Sequence, residues 1–237
     1  MTERILLHAG VADSRMYGAQ IEALAPARAF DLPGFGQTPL DDDAPGLRDF
    51  VRERLPGEPA TLIGTSLGSI IALELALECP DRVAAMVLAG PSIDGHEWSA
   101  EVRAFGEEEE AALERGDLDA AVEANVRIWL ADDADPAVRA LVTEMQRRAF
   151  ELQSDHQLRM QRLDPPASTR LAEVRVPTLV VTGDEDVHDI HEIADRLAAE
   201  IPGARRATIA GAGHLPSLER PDEFNRIVLA FLREHGV

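Results

Sequence analysis

Short apolar runs alternate with longer amphipathic stretches along most of the chain. A buried strand needs only a few apolar residues, whereas an amphipathic helix repeats its apolar positions every three or four residues. Alternation of the two is typical of βαβ units and a parallel sheet. The pattern therefore predicts an α/β protein with about six strands, at residues 5–7, 27–30, 61–63, 83–89, 177–183 and 205–209.

The alternation stops between residues 93 and about 166, where no strand pattern is evident. Helix patterns at 100–115, 117–129 and 136–156 fill this stretch, and Asp117 stands at the N-cap position of the second. We expect residues 1–92 and 167–237 to form one core. Residues 93–166 are then an all-helical lid, inserted after the strand that ends near Ala89.

Composition excludes several classes of protein. The 237 residues carry a net charge of −20, which argues against nucleic acid and anionic membranes as partners, since both need basic patches. All 23 basic residues are arginine, so a P-loop lysine, a Schiff-base lysine and a serine–lysine dyad are excluded. Cys79 is the single cysteine, so no intrachain disulfide can form.

The chain starts without a basic-then-apolar segment of the kind that targets secretion. It also contains no apolar run of 18 residues, the length needed to cross a bilayer. We therefore expect a cytoplasmic protein.

Gly64-Thr65-Ser66-Leu67-Gly68 interrupts a strand pattern and is followed directly by a helix pattern. This is the G-x-S-x-G sequence in the strand–turn–helix setting where a serine can act as a nucleophile. A βα turn that merely contains a serine is the alternative interpretation. A serine hydroxyl becomes reactive only beside a base and near N–H groups that face the developing oxyanion.

A base and an orienting acid are available at the ends of other predicted strands. His214 follows the last strand, and Asp184, Glu185 and Asp186 follow the strand that ends at Gly183. In a parallel sheet these strand ends share one edge, so the side chains can converge. The chain order is serine, acid, histidine.

Five motifs in this order resemble the α/β-hydrolase superfamily along nearly the whole chain. They are His8-Ala9-Gly10, Asp31-Leu32-Pro33-Gly34-Phe35-Gly36, Gly64-Thr65-Ser66-Leu67-Gly68, Gly183-Asp184-Glu185-Asp186, and Gly211-Ala212-Gly213-His214 with Glu219-Arg220-Pro221. The resemblance implies a three-layer α/β-hydrolase fold. Its esterase and lactonase branch, which includes proteins like 3-oxoadipate enol-lactonase, is the most similar.

The resemblance implies a role for each site residue. Ser66 would be the nucleophile, His214 the base and acid, and Asp186 the orienting carboxylate, because the family's acid stands three positions after the strand-ending glycine. Asp184 and Asp94 remain alternatives for the acid. The backbone N–H groups of Leu67 and Gly10 would form the oxyanion hole. No metal or cofactor is expected.

The sequence departs from the family in two places. Ala9 replaces the glycine that usually follows the histidine, so its methyl group is expected to narrow the approach to the oxyanion hole. The antiparallel hairpin that usually precedes the first strand is missing, so the sheet should be all parallel. One sheet edge would then be either blunted or paired in a homodimer.

Candidates for substrate contact lie in the helical segment. Trp98, Trp129, Met145 and Phe150 would line the pocket, or else pack between lid helices. His188 and His191 could share a metal, but the spacing fixes no third ligand, so the polar start of a helix is the preferred interpretation.

We therefore expect a serine hydrolase that cleaves a small, fairly apolar carboxylic ester or lactone. The same residues would also serve a hydrolase of carbon–carbon bonds in β-diketone-like acids, or a cofactor-free perhydrolase or haloperoxidase. A small-molecule receptor that keeps the hydrolase scaffold is the alternative from another class.

Overall fold

A computed structural model describes residues 2–237 and contains one parallel sheet. The spatial order of its strands is β2-β1-β3-β4-β5-β6, and each of the five strand pairings in this sheet is parallel. This confirms the predicted six-stranded α/β architecture. The strands are β1 (Arg4–Leu7), β2 (Ala27–Ala29), β3 (Ala60–Ser66), β4 (Val83–Pro91), β5 (Thr178–Gly183) and β6 (Arg205–Ile209).

Helices connect the strands and cover both faces of the sheet. In the core they are α1 (Gly18–Ala23), α2 (Leu47–Arg52), α3 (Leu67–Glu78), α7 (His188–Glu200), α8 (Pro216–Glu219) and α9 (Pro221–Glu234). Between β4 and β5 lie α4 (Ala100–Glu114), α5 (Leu118–Trp129) and α6 (Pro136–Gln153). No helix within residues 2–237 combines the length and the apolarity needed to cross a membrane.

The core consists of two apolar clusters, one on each face of the sheet. Ile5 and Leu62 belong to the first cluster, and their neighbours Leu6 and Ile63 belong to the second. Successive side chains of a strand point to opposite faces, so runs that are apolar at every position are what a sheet covered on both sides requires. Helix α3 is buried along nearly its whole length, because it packs between the sheet and the helices outside it.

Polar side chains start the helices of the inserted segment. Asp117 accepts a hydrogen bond from the Ala120 N–H, as its predicted N-cap position requires. Ser99 and Asp135 cap α4 and α6 in the same way. The two ends of the segment are joined by an ion pair between Asp94 and Arg162, whose N–O distance is 3.1 Å.

Asp189 ties this segment to the core. Val187 occupies the N-cap of α7, and Asp189 in its first turn is only 1% exposed. Its carboxylate accepts hydrogen bonds from the Ser99 N–H at 2.7 Å and from His96 Nε2 at 3.0 Å. Burial would raise the pKa of Asp189, but the hydrogen bonds from Ser99 and His96 outweigh it and hold that pKa below its usual value.

Asp189→Ala should lower the free energy of unfolding by about 2 kcal/mol, because it leaves a partly buried N–H and a partly buried imidazole without an acceptor. Asp189→Asn keeps an acceptor and should cost about 1 kcal/mol. The carboxylate's contribution is present at neutral pH and is lost as the pH falls through its lowered pKa. The free energies of unfolding of wild type and Asp189→Asn, measured in urea at several pH values, should therefore converge in acid. A difference between them that stays constant with pH would contradict this account.

The edge of the sheet formed by β2 is short. The strand has three residues, and Arg28 at its centre is exposed and paired with Glu3. A short edge with an outward charge is one way in which proteins limit edge-to-edge pairing. A homodimer through this edge stays a prediction.

Candidate active site

Ser66 ends β3 and holds a strained backbone conformation at the start of α3. Its φ is 51° and its ψ is −110°, and no other non-glycine residue within 2–237 has a positive φ. Such conformations cost about 1–3 kcal/mol and persist only where the surroundings impose them. The turn therefore presents the serine side chain at the carboxyl edge of the sheet.

The two glycines of this turn are required by close contact. A Cβ on Gly64 would lie 2.2 Å from the Gly68 carbonyl oxygen, and one on Gly68 would lie 2.1 Å from the Leu7 carbonyl oxygen. Neither space accommodates a methyl group without moving backbone. The strand, the turn and α3 can meet only because both positions lack a side chain.

Ser69 holds the turn in place through two hydrogen bonds, a role that the sequence did not suggest. Its hydroxyl donates to the Ser66 carbonyl at 2.6 Å and accepts from the Ser92 N–H at 3.1 Å. The turn is thus fastened to the chain that leaves β4.

His214 is almost wholly buried and is held by Asp186. Its Nδ1 lies 2.9 Å from Asp186 Oδ2 and 3.2 Å from Oδ1. Because an ionised carboxylate can only accept, Nδ1 carries the proton in this pair. The neutral imidazole then has its lone pair on Nε2, the atom from which a base acts.

The two other candidate acids have different partners. Asp184 accepts a hydrogen bond from the Gly211 N–H at 2.6 Å, which makes it a turn residue. Asp94 faces Arg162, as described above. Of the three, Asp186 is the one bonded to His214.

The end of β4 brings the histidine and the serine to the same place. In the sheet register, Ser66 is paired with Pro91. A Cβ on the preceding Gly90 would lie 2.5 Å from the His214 carbonyl oxygen and 3.1 Å from its Nδ1. His214 therefore lies over the strand end that borders Ser66.

The loop after β1 lies against the start of α3. The Gly68 N–H donates to the His8 carbonyl at 3.1 Å, and a Cβ on Gly10 would be 4.0 Å from the Leu67 Cβ. Leu67 begins α3, and the first N–H groups of a helix have no partner within it. The Ala9 side chain is fully buried in the second apolar cluster, and its effect on the oxyanion hole stays a prediction.

His8 holds two loops together. Its Nδ1–H donates to the Ala9 carbonyl at 2.8 Å, and its Nε2 accepts from the Leu32 N–H at 3.0 Å. Burial lowers the pKa of His8, which keeps the ring neutral in this pair of bonds. Both nitrogens are engaged, so His8 serves as a structural residue here.

Trp129 lies directly over His214. The two ring centroids are 4.5 Å apart with the planes tilted by 39°, and Phe105 packs on the edge of Trp129 at 5.5 Å. The Trp129 carbonyl also accepts the His214 N–H at 2.9 Å. The end of α5 is therefore part of the immediate surroundings of the histidine.

The other predicted pocket residues are more scattered. Trp98 packs against His96, and Met145 is fully buried with its sulfur 3.4 Å from the Asp13 nitrogen. Phe150 lines an apolar cleft of about 660 Å³ with Leu158 and residues at the α4–α5 turn. Their assignment to a substrate pocket stays a prediction.

His188 and His191 face different partners. His188 Nε2 lies 3.3 Å from Glu192, and His191 Nδ1 lies 3.1 Å from an Arg206 nitrogen. Within residues 2–237, no three His, Cys, Asp or Glu side chains are grouped so as to hold a metal ion.

Comparison with known proteins identifies the family. The model of the alpha/beta hydrolase family matches residues 5–227. The chain belongs to the alpha/beta hydrolase family.

Proteins similar to this chain are named for different hydrolytic reactions. A protein named putative carbamate hydrolase RutD from Rhizobium rhizogenes is 32% identical over 97% of this chain and 92% of its own. The 2-hydroxy-6-oxo-6-phenylhexa-2,4-dienoate hydrolase of Comamonas testosteroni is 27% identical over 86% of this chain and 76% of its own. The crystal structure of the enol-lactonase from Burkholderia xenovorans superposes with a TM-score of 0.76 at 21% identity, covering 98% and 91% of the two chains.

Proposed function

We propose that this alpha/beta hydrolase cleaves a small, fairly apolar carboxylic ester or lactone through a Ser66-His214-Asp186 triad and an acyl-enzyme. The observation that carries the proposal is the bond between His214 Nδ1 and Asp186, which leaves Nε2 free as a base at the strand end bordering Ser66. No cofactor enters this reaction, because the three side chains supply the nucleophile, the base and the acid.

The reaction has two steps of the same kind, acylation of Ser66 and then deacylation. Ser66 Oγ attacks the carbonyl carbon while His214 Nε2 takes its proton, and the carbonyl oxygen becomes an oxyanion between the N–H groups of Leu67 and Gly10. The bond to the alcohol oxygen then breaks, and that oxygen takes the proton from His214. Water repeats the sequence on the acyl-enzyme, which releases the acid and restores Ser66.

Asp186 supports both steps without changing its own charge. Its carboxylate fixes the Nδ1–H tautomer and stabilises the imidazolium that forms when His214 takes the second proton. Trp129 limits the movement of the ring from the opposite side.

The charges of the helical segment favour a substrate with little charge of its own. Three arginines there could have met a substrate carboxylate, but each faces a carboxylate of the protein. Arg127 is paired with Glu108, Arg147 with Asp119, and Arg148 with Glu151. Exposed pairs of this kind are individually weak, but each of the three arginine charges is offset by a carboxylate of the protein rather than left for a substrate carboxylate.

Cleavage of a carbon–carbon bond is the second candidate, because it is the reaction named for the Comamonas testosteroni relative. Perhydrolase chemistry and a receptor function need the same scaffold, but no contact among residues 2–237 favours either. The proposed substrate remains a small molecule, with neither nucleic acid nor a membrane as partner.

A substrate panel tests the proposal. We expect multiple turnover on p-nitrophenyl esters of short acyl chains and on simple lactones, with kcat/KM at least about 100-fold above that for β-diketone acids. Turnover restricted to the diketone acids would favour the second candidate. A single slow turnover on every compound would favour a receptor.

A further inference from the structure

Glu219 holds both sides of the histidine loop. It ends the short helix α8, and its side chain is buried. Its Oε1 accepts hydrogen bonds from the N–H groups of Gly213 and Leu215, both at 3.1 Å, and these residues flank His214. Its Oε2 accepts from the Ala131 N–H at 2.9 Å. One carboxylate therefore joins the histidine loop to the chain leaving α5.

Two further contacts make this junction tight. The His214 N–H donates to the Trp129 carbonyl at 2.9 Å. A Cβ on Gly213 would lie only 2.6 Å from the Ala131 nitrogen. Residues 129–131 and 213–215 thus lie in direct contact, and the imidazole sits beneath the Trp129 ring.

Burial of the Glu219 carboxylate at this place destabilises the folded protein. Burial raises the pKa of Glu219, and the nearby Asp186 charge adds to the effect, while the three N–H bonds act in the opposite direction. A buried charge near another charge of the same sign destabilises the folded protein. An apolar side chain of similar volume would fill this space with a smaller loss of stability. An apolar side chain could not bind the three backbone N–H groups around His214 and hold them in fixed positions.

We propose that Glu219 is a positioning residue, which fixes His214 against Ser66 by binding the histidine loop and Ala131 with one carboxylate. The role rests on the proposed triad, since it concerns the orientation of its base. Glu219 does not touch the reacting atoms, so it acts on the chemical step through His214 and leaves substrate binding nearly unchanged. The end of α5 stays docked on the histidine throughout turnover.

Glu219→Gln tests this role with little change of shape. The amide has one acceptor oxygen, and its NH₂ group must face at least one of the three backbone donors, so the junction loses at least one bond. We expect kcat for p-nitrophenyl acetate to fall about 10- to 100-fold, because small displacements of a catalytic group cost that much. KM should stay within about threefold of wild type. Glu219→Asp keeps both carboxylate oxygens on a side chain that is one methylene shorter. Its kcat should lie between the values for wild type and Glu219→Gln.

Glu223→Gln is the matched control. Glu223 lies in the first turn of α9, is partly exposed, and pairs with Arg226. The same substitution there removes a carboxylate close in sequence without touching the histidine loop. Its kcat and KM should equal those of wild type.

A second readout does not depend on activity. In a Trp98→Phe background, Trp129 is the only tryptophan, since the chain has two. Adding Glu219→Gln should loosen residues 129–131 and raise the acrylamide quenching constant of Trp129 about twofold, with unchanged far-ultraviolet circular dichroism. Adding Glu223→Gln should leave the quenching constant unchanged.

The outcomes separate this proposal from the proposed function. If Ser66→Ala is inactive but Glu219→Gln retains wild-type kcat, the positioning role is wrong and the triad stands. If the wild-type protein hydrolyses no ester, the proposed function fails. The quenching of Trp129 then decides alone whether Glu219 holds the histidine loop and residues 129–131 together. Quenching unchanged by Glu219→Gln would then overturn the junction, and increased quenching would support it.

Discussion

Ser66→Ala should abolish ester hydrolysis, with kcat reduced by about a million-fold, as expected when a triad loses its nucleophile. His214 and the oxyanion N–H groups would remain, but no group would be left to form the acyl-enzyme. Steady-state rates on p-nitrophenyl acetate at high enzyme concentration measure the residual activity.

Stability distinguishes this loss from misfolding. Alanine keeps the Cβ and therefore the strain of the positive φ, so the free energy of unfolding should change by less than about 1 kcal/mol. Ser66→Gly should be equally inactive yet more stable by about 1 kcal/mol, because glycine adopts φ near +51° without strain. An active, well-folded Ser66→Ala protein would refute the assignment of the nucleophile.

Asp186→Asn should lower kcat by about 10,000-fold with little effect on KM. If the asparagine amide nitrogen faces His214, it offers a donor where the carboxylate offered an acceptor. The imidazole then moves its proton to Nε2, the wrong tautomer for a base. Steady-state kinetics at neutral pH give both parameters.

Asp184→Asn is the control for this change. Asp184 lies in the same turn, and its carboxylate accepts from the Gly211 N–H rather than from the histidine. An asparagine side chain can accept the same bond, so kcat should fall less than about tenfold. Equal losses in the two variants would mean that the turn as a whole, rather than the Asp186 carboxylate, supports activity.

Local patterns predicted the sheet and the positions of the residues at its edge. Runs such as residues 83–89 and 179–181 are apolar at every position, which is typical of a strand covered on both faces. A parallel sheet aligns the carboxyl ends of its strands, so the turn at Ser66, the acid after Gly183 and the loop at His214 had to share one edge. The bond between Asp186 and His214 follows from that geometry.

The contacts that hold the helical segment in place could not be read from the sequence. Asp189 binds Ser99 across 90 residues, and Glu219 binds Ala131 across 88. Both carboxylates are buried, and only the tertiary packing reveals this. Backbone N–H partners leave no signal in the sequence, because every residue except proline has one.

The structure shows what surrounds two of the residues that would either line the pocket or pack between lid helices. The aromatic neighbours of Trp129 are His214 and Phe105. Met145 is fully buried among the apolar residues of the second cluster. Periodicity places a residue on the buried face of a helix, but it does not say what that face covers.

The most direct test of the account is to label the nucleophile. A phosphonate ester with a p-nitrophenolate leaving group should release one equivalent of p-nitrophenolate per chain and abolish turnover. Mass spectrometry of the digested protein should find the phosphonyl group on the peptide that contains Ser66, and Ser66→Ala should release none. Labelling at another residue, or complete inactivation without a covalent adduct, would contradict the proposed acyl-enzyme mechanism.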